Sequence, residues 1–211
     1  MTMLQRIGAF FGGSPASLPG HRFIRGVSHV NIGVPDLGEA IAFYGKLLDA
    51  RPIRSFPRFR NAGFARSAGF LERPEDIEVS IAFLEIPGAG LTLELMQYHS
   101  PAAEDRIARL GVNDIAGVRH IALKVVAIDE AFSHVAAIPG VRLINPSAEY
   151  RPFRIDGIAA SEFQFHDPLL EADAGEKAKV AEIVGRIRYF YFVDPYGVQW
   201  EFEQGHDDMG H

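Results

Sequence analysis

One pattern occurs twice along this chain. His29 opens HVNIGVPDLGEA, and 91 residues later His120 opens HIALKVVAIDEA, with the apolar positions in register and Glu39-Ala40 falling on Glu130-Ala131. Further on, LTLELMQ (91–97) answers VQWEFEQ (198–204), which sets Glu94 against Glu201 and Gln97 against Gln204. The second offset is 107, so the second copy carries 16 more residues than the first. A chain built this way is constrained to two copies of one unit, each supplying an imidazole and a carboxylate. Such a set predicts a mononuclear metal site, because borderline and hard divalent cations accept mixed nitrogen and oxygen ligands. The chain has no Cys, so thiolate ligands and disulfides are excluded.

Charge narrows the class of partner. With 21 Lys and Arg against 27 Asp and Glu, the net charge is −6, which leaves no basic footprint for nucleic acid and no polybasic membrane patch. No stretch approaches the length needed to span a bilayer. Residues 1–13 (MTMLQRIGAFFGG) read as a docking arm rather than a signal peptide, since Arg6 interrupts a short apolar run and no small-residue cleavage site follows. The lack of Cys fits a cytoplasmic location. Small-molecule chemistry is the expected business of such a chain.

Periodicity places the repeated residues on like elements. VSHVNIGV (27–34) is a β-branched, strand-like run; Asp36 then caps a helix over 37–48, and strands follow near 51–58, 77–86 and 91–98. The second copy repeats this β-α-β-β-β order with a strand at 118–126, a helix at 128–138, and strands at 141–146, 186–194 and 198–204. In LTLELMQ, Leu93 and Leu95 share one face, so Glu94 points to the other; Glu201 stands likewise between Trp200 and Phe202. The remaining histidines are weaker candidates: His134 falls on a helix, His166 in an insert, and His206 and His211 in the tail. The expected organisation is an N-terminal arm (1–25), one domain (26–205) and a short tail (206–211). That domain comprises module one (26–98), a linker with a short helix (99–117) and module two (118–205) with an insertion at 147–185. Neither module has a complete apolar core of its own.

Residues 59–76 and 147–185 break the symmetry. They and their borders hold Arg58, Arg60, Phe64, Arg66 and Phe70 in one case, and Tyr150, Arg151, Phe153, Arg154, Phe163 and Phe165 in the other. Two readings stand. These are solvated loops with a few packed rings, or they form a lid in which Arg58, Arg60, Arg151 and Arg154 grip an anion while Phe153 and its neighbours wall an apolar or aromatic body.

The run SHVNIGVPDLGEAIAFYGKLL, then LTLELMQY, GVRHIALKV and FVDPYGVQWEFEQ, resembles the vicinal oxygen chelate superfamily of glyoxalases, epimerases, extradiol dioxygenases and antibiotic-resistance proteins. The resemblance implies an α+β fold of two paired β-α-β-β-β modules forming a cupped mixed sheet, and often a homodimer. It places the metal ligands on His29, Glu94, His120 and Glu201. Zn, Ni, Co, Mn and Fe(II) all suit that set. The implied reaction is proton abstraction beside a metal-bound carbonyl (isomerase, epimerase or lyase), with Glu94 or Glu201 as the base. The alternatives are an Fe(II) extradiol-type dioxygenase using His29, His120 and Glu201, and a non-catalytic binding protein. No glutathione or CoA signature is present.

Overall fold

The computed structural model describes residues 26–102, 115, 117–154 and 156–205; the N-terminal arm with Phe10 and Phe11, most of the linker in which a short helix is expected, and the tail with His206 and His211 lie outside the described residues. Module one runs β1 (Val30–Gly33), α1 (Leu37–Leu48), β2 (Arg51–Phe59), α2 (Ala62–Ser67), a 3₁₀ turn (Pro74–Asp76), β3 (Glu78–Ile86) and β4 (Leu91–Ser100). Module two runs β5 (Ile121–Lys124), α3 (Ile128–Ala136), β6 (Arg142–Leu143), β7 (Phe153–Arg154), α4 (Pro168–Glu171), α5 (Ala174–Val184), β8 (Arg188–Val193) and β9 (Gln199–Gln204). Each module has its own mixed sheet, ordered β1-β4-β3-β2 and β5-β9-β8-β6, with β7 added beside β8. In both, the first strand runs parallel to the last and the other pairings are antiparallel. The architecture is α+β, as the repeat predicts, with the sheet in two parts.

Helix α1 forms where its caps are. Asp36 accepts a hydrogen bond from Glu39 N at 2.8 Å, and the chain leaves the helix at Asp49 in the left-handed region (φ 52). Helix α3 has no side-chain cap at Ala127. What both helices share is a glutamine on the last strand of their module: Leu37 N donates to Gln97 Oε1 at 3.0 Å and Ile128 N donates to Gln204 Oε1 at 2.9 Å. The duplicated Gln therefore satisfies one orphan amide at each helix start and docks the helix to its sheet.

One apolar core spans both modules. It joins Ile32, Leu93, Leu95 and Tyr44 of the first to Phe190, Phe192, Trp200 and Phe202 of the second. His134 reaches from α3 to the carbonyl of Lys46 at the end of α1, 2.8 Å away. Asp194 accepts hydrogen bonds from Tyr44 Oη (2.7 Å), Trp200 Nε1 (2.9 Å), Tyr196 N (2.9 Å) and Val198 N (3.0 Å). Burial raises its carboxyl above the ordinary range, and those four donors pull in the opposite direction.

A second, smaller apolar cluster lies on the other face of the first sheet. Val79, Ile81 and Met96 pack there with Phe59, Phe64, Phe83 and Tyr98; Met96 and Tyr98 alternate with Glu94 along β4 and so share its side. The first insert packs a few rings onto this cluster: Asn61 caps α2 by accepting from Phe64 N at 2.9 Å, and the Phe64 ring meets Phe59 at 5.8 Å. The second insert packs on itself through Phe163 and Phe165 (5.5 Å) and the Lys177–Glu171 pair (2.7 Å). His166 is exposed within it. Among the described residues no helix is long and apolar enough to cross a membrane.

Candidate metal and substrate site

Each module brings its own imidazole to its own carboxylate. His29 Nε2 lies 3.2 Å from Glu94 Oε2, and His120 Nε2 lies 3.0 Å from Glu201 Oε2. The two pairs are built alike. The histidine sits at the entry to the first strand, the glutamate in the middle of the last, and those strands run side by side in parallel. The carboxylates are the sheltered members (15% and 12% exposed) and the imidazoles the open ones (37% and 40%). His29 Nδ1 is 3.1 Å from Ser28 Oγ, which leaves Nε2 toward Glu94. Among the described residues, no three His, Asp or Glu side chains form one metal-binding group, so the structure brings the four together two by two.

Around each pair the neighbours differ. Phe83 stands opposite Glu94 across β3 and β4, its ring edge-on to His29 at 5.8 Å. Tyr191 stands opposite Glu201 across β8 and β9, its ring edge-on to His120 at 5.5 Å. Asn31 lies opposite Glu94 on β1 and donates its amide to Glu94 Oε2 at 3.0 Å; the equivalent residue opposite Glu201 is Ala122. Burial, then the charge of Glu201, push the Tyr191 phenol well above its ordinary range. Asn31, Phe83 and Tyr191 were not singled out by the sequence reading, because cross-strand register is not written in local spacing. The repeat was their one available signal.

A cavity of about 330 Å³ lies between the modules, lined by Val30–Gly33, Val118–Ile121 and Tyr196–Gln199. Asn31 of one module and His120 of the other both open onto it.

The arginines separate into two groups. Arg58 and Arg60 both bind the buried Glu78: Arg58 through Nη1, and Arg60 with Nε at 2.7 Å from Oε2. Arg58 N also donates to Ser80 Oγ at 3.1 Å, and Ser80 Oγ contacts His99 Nε2 at 2.8 Å. Arg151 lies over the Phe153 ring at 5.3 Å and donates to the Glu149 carbonyl at 3.3 Å. Phe153 is 44% exposed, and its ring is 6.0 Å from Tyr150. Arg66 and Arg154 are exposed.

Against known families, residues 28–153, more than half of the chain, match the profile of the Glyoxalase/Bleomycin resistance protein/Dioxygenase superfamily. The chain belongs to this superfamily. Within the superfamily it is 30% identical over 123 residues to a 2-epi-5-epi-valiolone epimerase from an Actinomyces species, a match covering 56% of this chain and 62% of that protein. The matched region therefore spans less than two thirds of the epimerase. Among solved structures, a glyoxalase family protein from Bacillus cereus superposes with a TM-score of 0.57 at 17% identity, covering 89% of this chain and 98% of that one. The fosfomycin resistance protein FosX from Listeria monocytogenes, solved with Mn(II) and sulfate, gives a TM-score of 0.44 at 18% identity over 86% of this chain and 93% of its own. The first of these two likenesses concerns the fold alone.

Proposed function

We propose that this superfamily member is a metal-dependent enzyme of the glyoxalase and epimerase type. One divalent cation is held by His29, Glu94, His120 and Glu201, and a small oxygenated substrate loses a proton beside a carbonyl. The observation that carries this reading is the duplicated His–Glu pair. Its donor separations of 3.2 and 3.0 Å suit two adjacent ligands of one ion, since ligands at ~2.1 Å set at right angles stand about 3.0 Å apart. His120 lines the cavity between the modules, and the two pairs would meet at one ion either within one chain or between two subunits. The donor chemistry fits Zn, Ni, Co, Mn or Fe(II).

When bound, the cation would polarise a carbonyl oxygen and make the neighbouring C–H more acidic. The chain's own residues supply the rest. Glu94 Oε2 faces both His29 and Asn31, whereas Oε1 accepts no hydrogen bond among the described residues. Oε1 is therefore the atom that takes the substrate proton and returns it, as isomerisation or epimerisation requires. Glu201 stays a ligand. Phe83, Met96 and Tyr98, with Phe64 folded over them, form an apolar wall on the Glu94 side, suited to a substrate with an apolar or aromatic body. Arg151, Arg154 and Phe153 supply the anion anchor and a further ring. Arg58 and Arg60 serve it less well, since Glu78 engages both.

The epimerase likeness supports this reaction class over an Fe(II) ring-cleaving dioxygenase, which would use His29, His120 and Glu201 and give Glu94 no part. A cytoplasmic homodimer completes the reading. The test is hydrogen exchange into α-hydroxy or α-keto carbonyl substrates in D₂O, using protein stripped and reloaded with each metal. Glu94→Gln should abolish exchange even at metal concentrations high enough to saturate the variant, since Glu94 is both a ligand and the base. Oxygen uptake on catechols by Fe(II)-loaded protein, with no exchange, would establish the dioxygenase instead.

A further inference from the structure

Two strand edges face the cavity between the modules. Four consecutive residues, Val30–Gly33 of β1, line one side of it, and residues 118–121, which lead into β5, line another. Successive strand side chains point to opposite faces, so a run of four reaches one cavity only along the edge of its strand. Both strands are edges: among the described residues β1 pairs with β4 alone and β5 with β9 alone. Such edges present unpaired N–H and C=O groups. At Gly33 a Cβ would meet nothing within 4 Å, so the β1 edge is open there. Gln199, the first residue of β9, lines the same cavity. It is 6% exposed, and its Oε1 is buried with no hydrogen-bond partner among the described residues. The other amide of the lining, Asn31, is already engaged by Glu94 Oε2 at 3.0 Å.

We propose that this cavity binds a small hydroxyl-bearing molecule, and that Gln199 selects it by accepting a hydrogen bond from one hydroxyl. Such binding goes beyond the metal reading above and needs no metal. A buried acceptor without a partner is rare in folded proteins and costly, and here it belongs to a residue that a ligand in the cavity would meet. A hydroxyl suits every wall: it donates to Gln199 Oε1, and it both donates to and accepts from the strand edges. A carbonyl or ether meets the edge N–H groups but leaves Oε1 unpaired, and a site built to bond a hydroxyl rejects the analogue lacking it for that reason. The volume of about 330 Å³ lies at the small end for ligand pockets, which suits a single ring or a short chain. The turn before Gln199 is held in place from the core. Asp194 accepts from Tyr196 N at 2.9 Å and from Val198 N at 3.0 Å, and Tyr44 of module one closes on the same carboxylate.

Cyclohexane-1,4-diol and cyclohexane-1,4-dione are the probes, alike in skeleton and differing in whether they donate. Each is titrated against the full chain by nuclear magnetic resonance with a chelator present. The diol should bind at least about tenfold more tightly than the dione and should shift the side-chain amide resonances of Gln199. Gln199→Met keeps the length of the side chain and removes the acceptor. It should erase the preference for the diol and leave the urea midpoint of the ligand-free chain unchanged or higher, since it removes an unpaired buried group. Gly33→Val suits a strand and fills the open edge, so it should exclude both probes. Equal binding of diol and dione to the wild type, or binding of neither, overturns the proposal. A preference that survives in Gln199→Met, or a Gly33→Val chain that binds both probes as the wild type does, overturns it too. So does a marked loss of stability in Gln199→Met, because the amide then serves the core rather than a ligand. Mn(II) uptake tests the metal reading separately.

Discussion

The Tyr44 phenol of module one donates to the Asp194 carboxylate of module two at 2.7 Å, with both side chains buried in the shared core. Asp194 has four donors and a carboxylate suited to accept from all of them. Asp194→Asn turns one oxygen into an NH₂ facing two donors, and buried groups left without partners cost about 1–3 kcal/mol each. We expect that variant to lose at least about 2 kcal/mol in urea unfolding. Tyr44→Phe, which removes a single donor, should lose less.

Acid should expose a second device. Hydrogen bonds from Arg60 and then Arg58 hold the Glu78 carboxyl below its ordinary value of 4.5. A folded-state pKa lowered in this way contributes stability that is present above the unfolded value and lost as pH falls through the folded one. Urea titrations of the wild type and Glu78→Gln should therefore differ by a constant amount at neutral pH, and the gap should close as the pH drops below about 4.5. A gap that widens in acid would contradict the assignment.

Metal should act as a stabilising ligand. Mn(II) at a hundredfold excess over its dissociation constant should add about 2.7 kcal/mol to unfolding stability, reversed by a chelator and absent in His120→Ala. Mixing His29→Ala and His120→Ala copies by co-refolding locates the site. An in-chain site predicts no recovery of Mn(II) binding, and recovery toward a quarter or more of the sites would place the ligand set between subunits.

The arginines should separate by phenotype. Arg154→Ala or Arg151→Ala should raise KM for an anionic substrate and leave kcat and metal content unchanged. Arg58→Ala should instead lower stability, because it strips a partner from the buried Glu78. An unchanged KM in both Arg151 and Arg154 variants would leave the pocket to be read as apolar.

Assembly is measured directly. Strand β2 lies at a sheet edge with Ile53 and Phe56 exposed, and uncovered edges and apolar side chains favour association into symmetric pairs. Light scattering at micromolar concentration should give twice the mass of one chain.

Helix α1 was readable to its ends because its signals are local: Asp36 at the cap, apolar residues at helical spacing, Lys46 in the last turn. Helix α2 was not foreseen. It has six residues, too few to announce a period, and it is held by the packing of Phe64 on Phe59. The strand expected at 141–146 survives as two residues, Arg142–Leu143, since Ile144 and beyond lead into the second insert. Glu94 and Glu201 emerged from alternation against buried neighbours. The partners of Arg58 and Arg60 did not, because Glu78 lies 18 to 20 residues away on a strand whose register no local pattern specifies.

The repeat, the absence of thiols and the side-chain period thus establish two like units, each carrying one imidazole and one carboxylate. Those properties belong to neighbours along the chain. Which side chain lies across from each glutamate, which arginines are engaged by a buried acid, and that Tyr44 would close on Asp194 150 residues away all depend on strand register and on how one module's core meets the other's. These choices are made between residues far apart in sequence, where packing and desolvation select the partner and local spacing carries no trace of it.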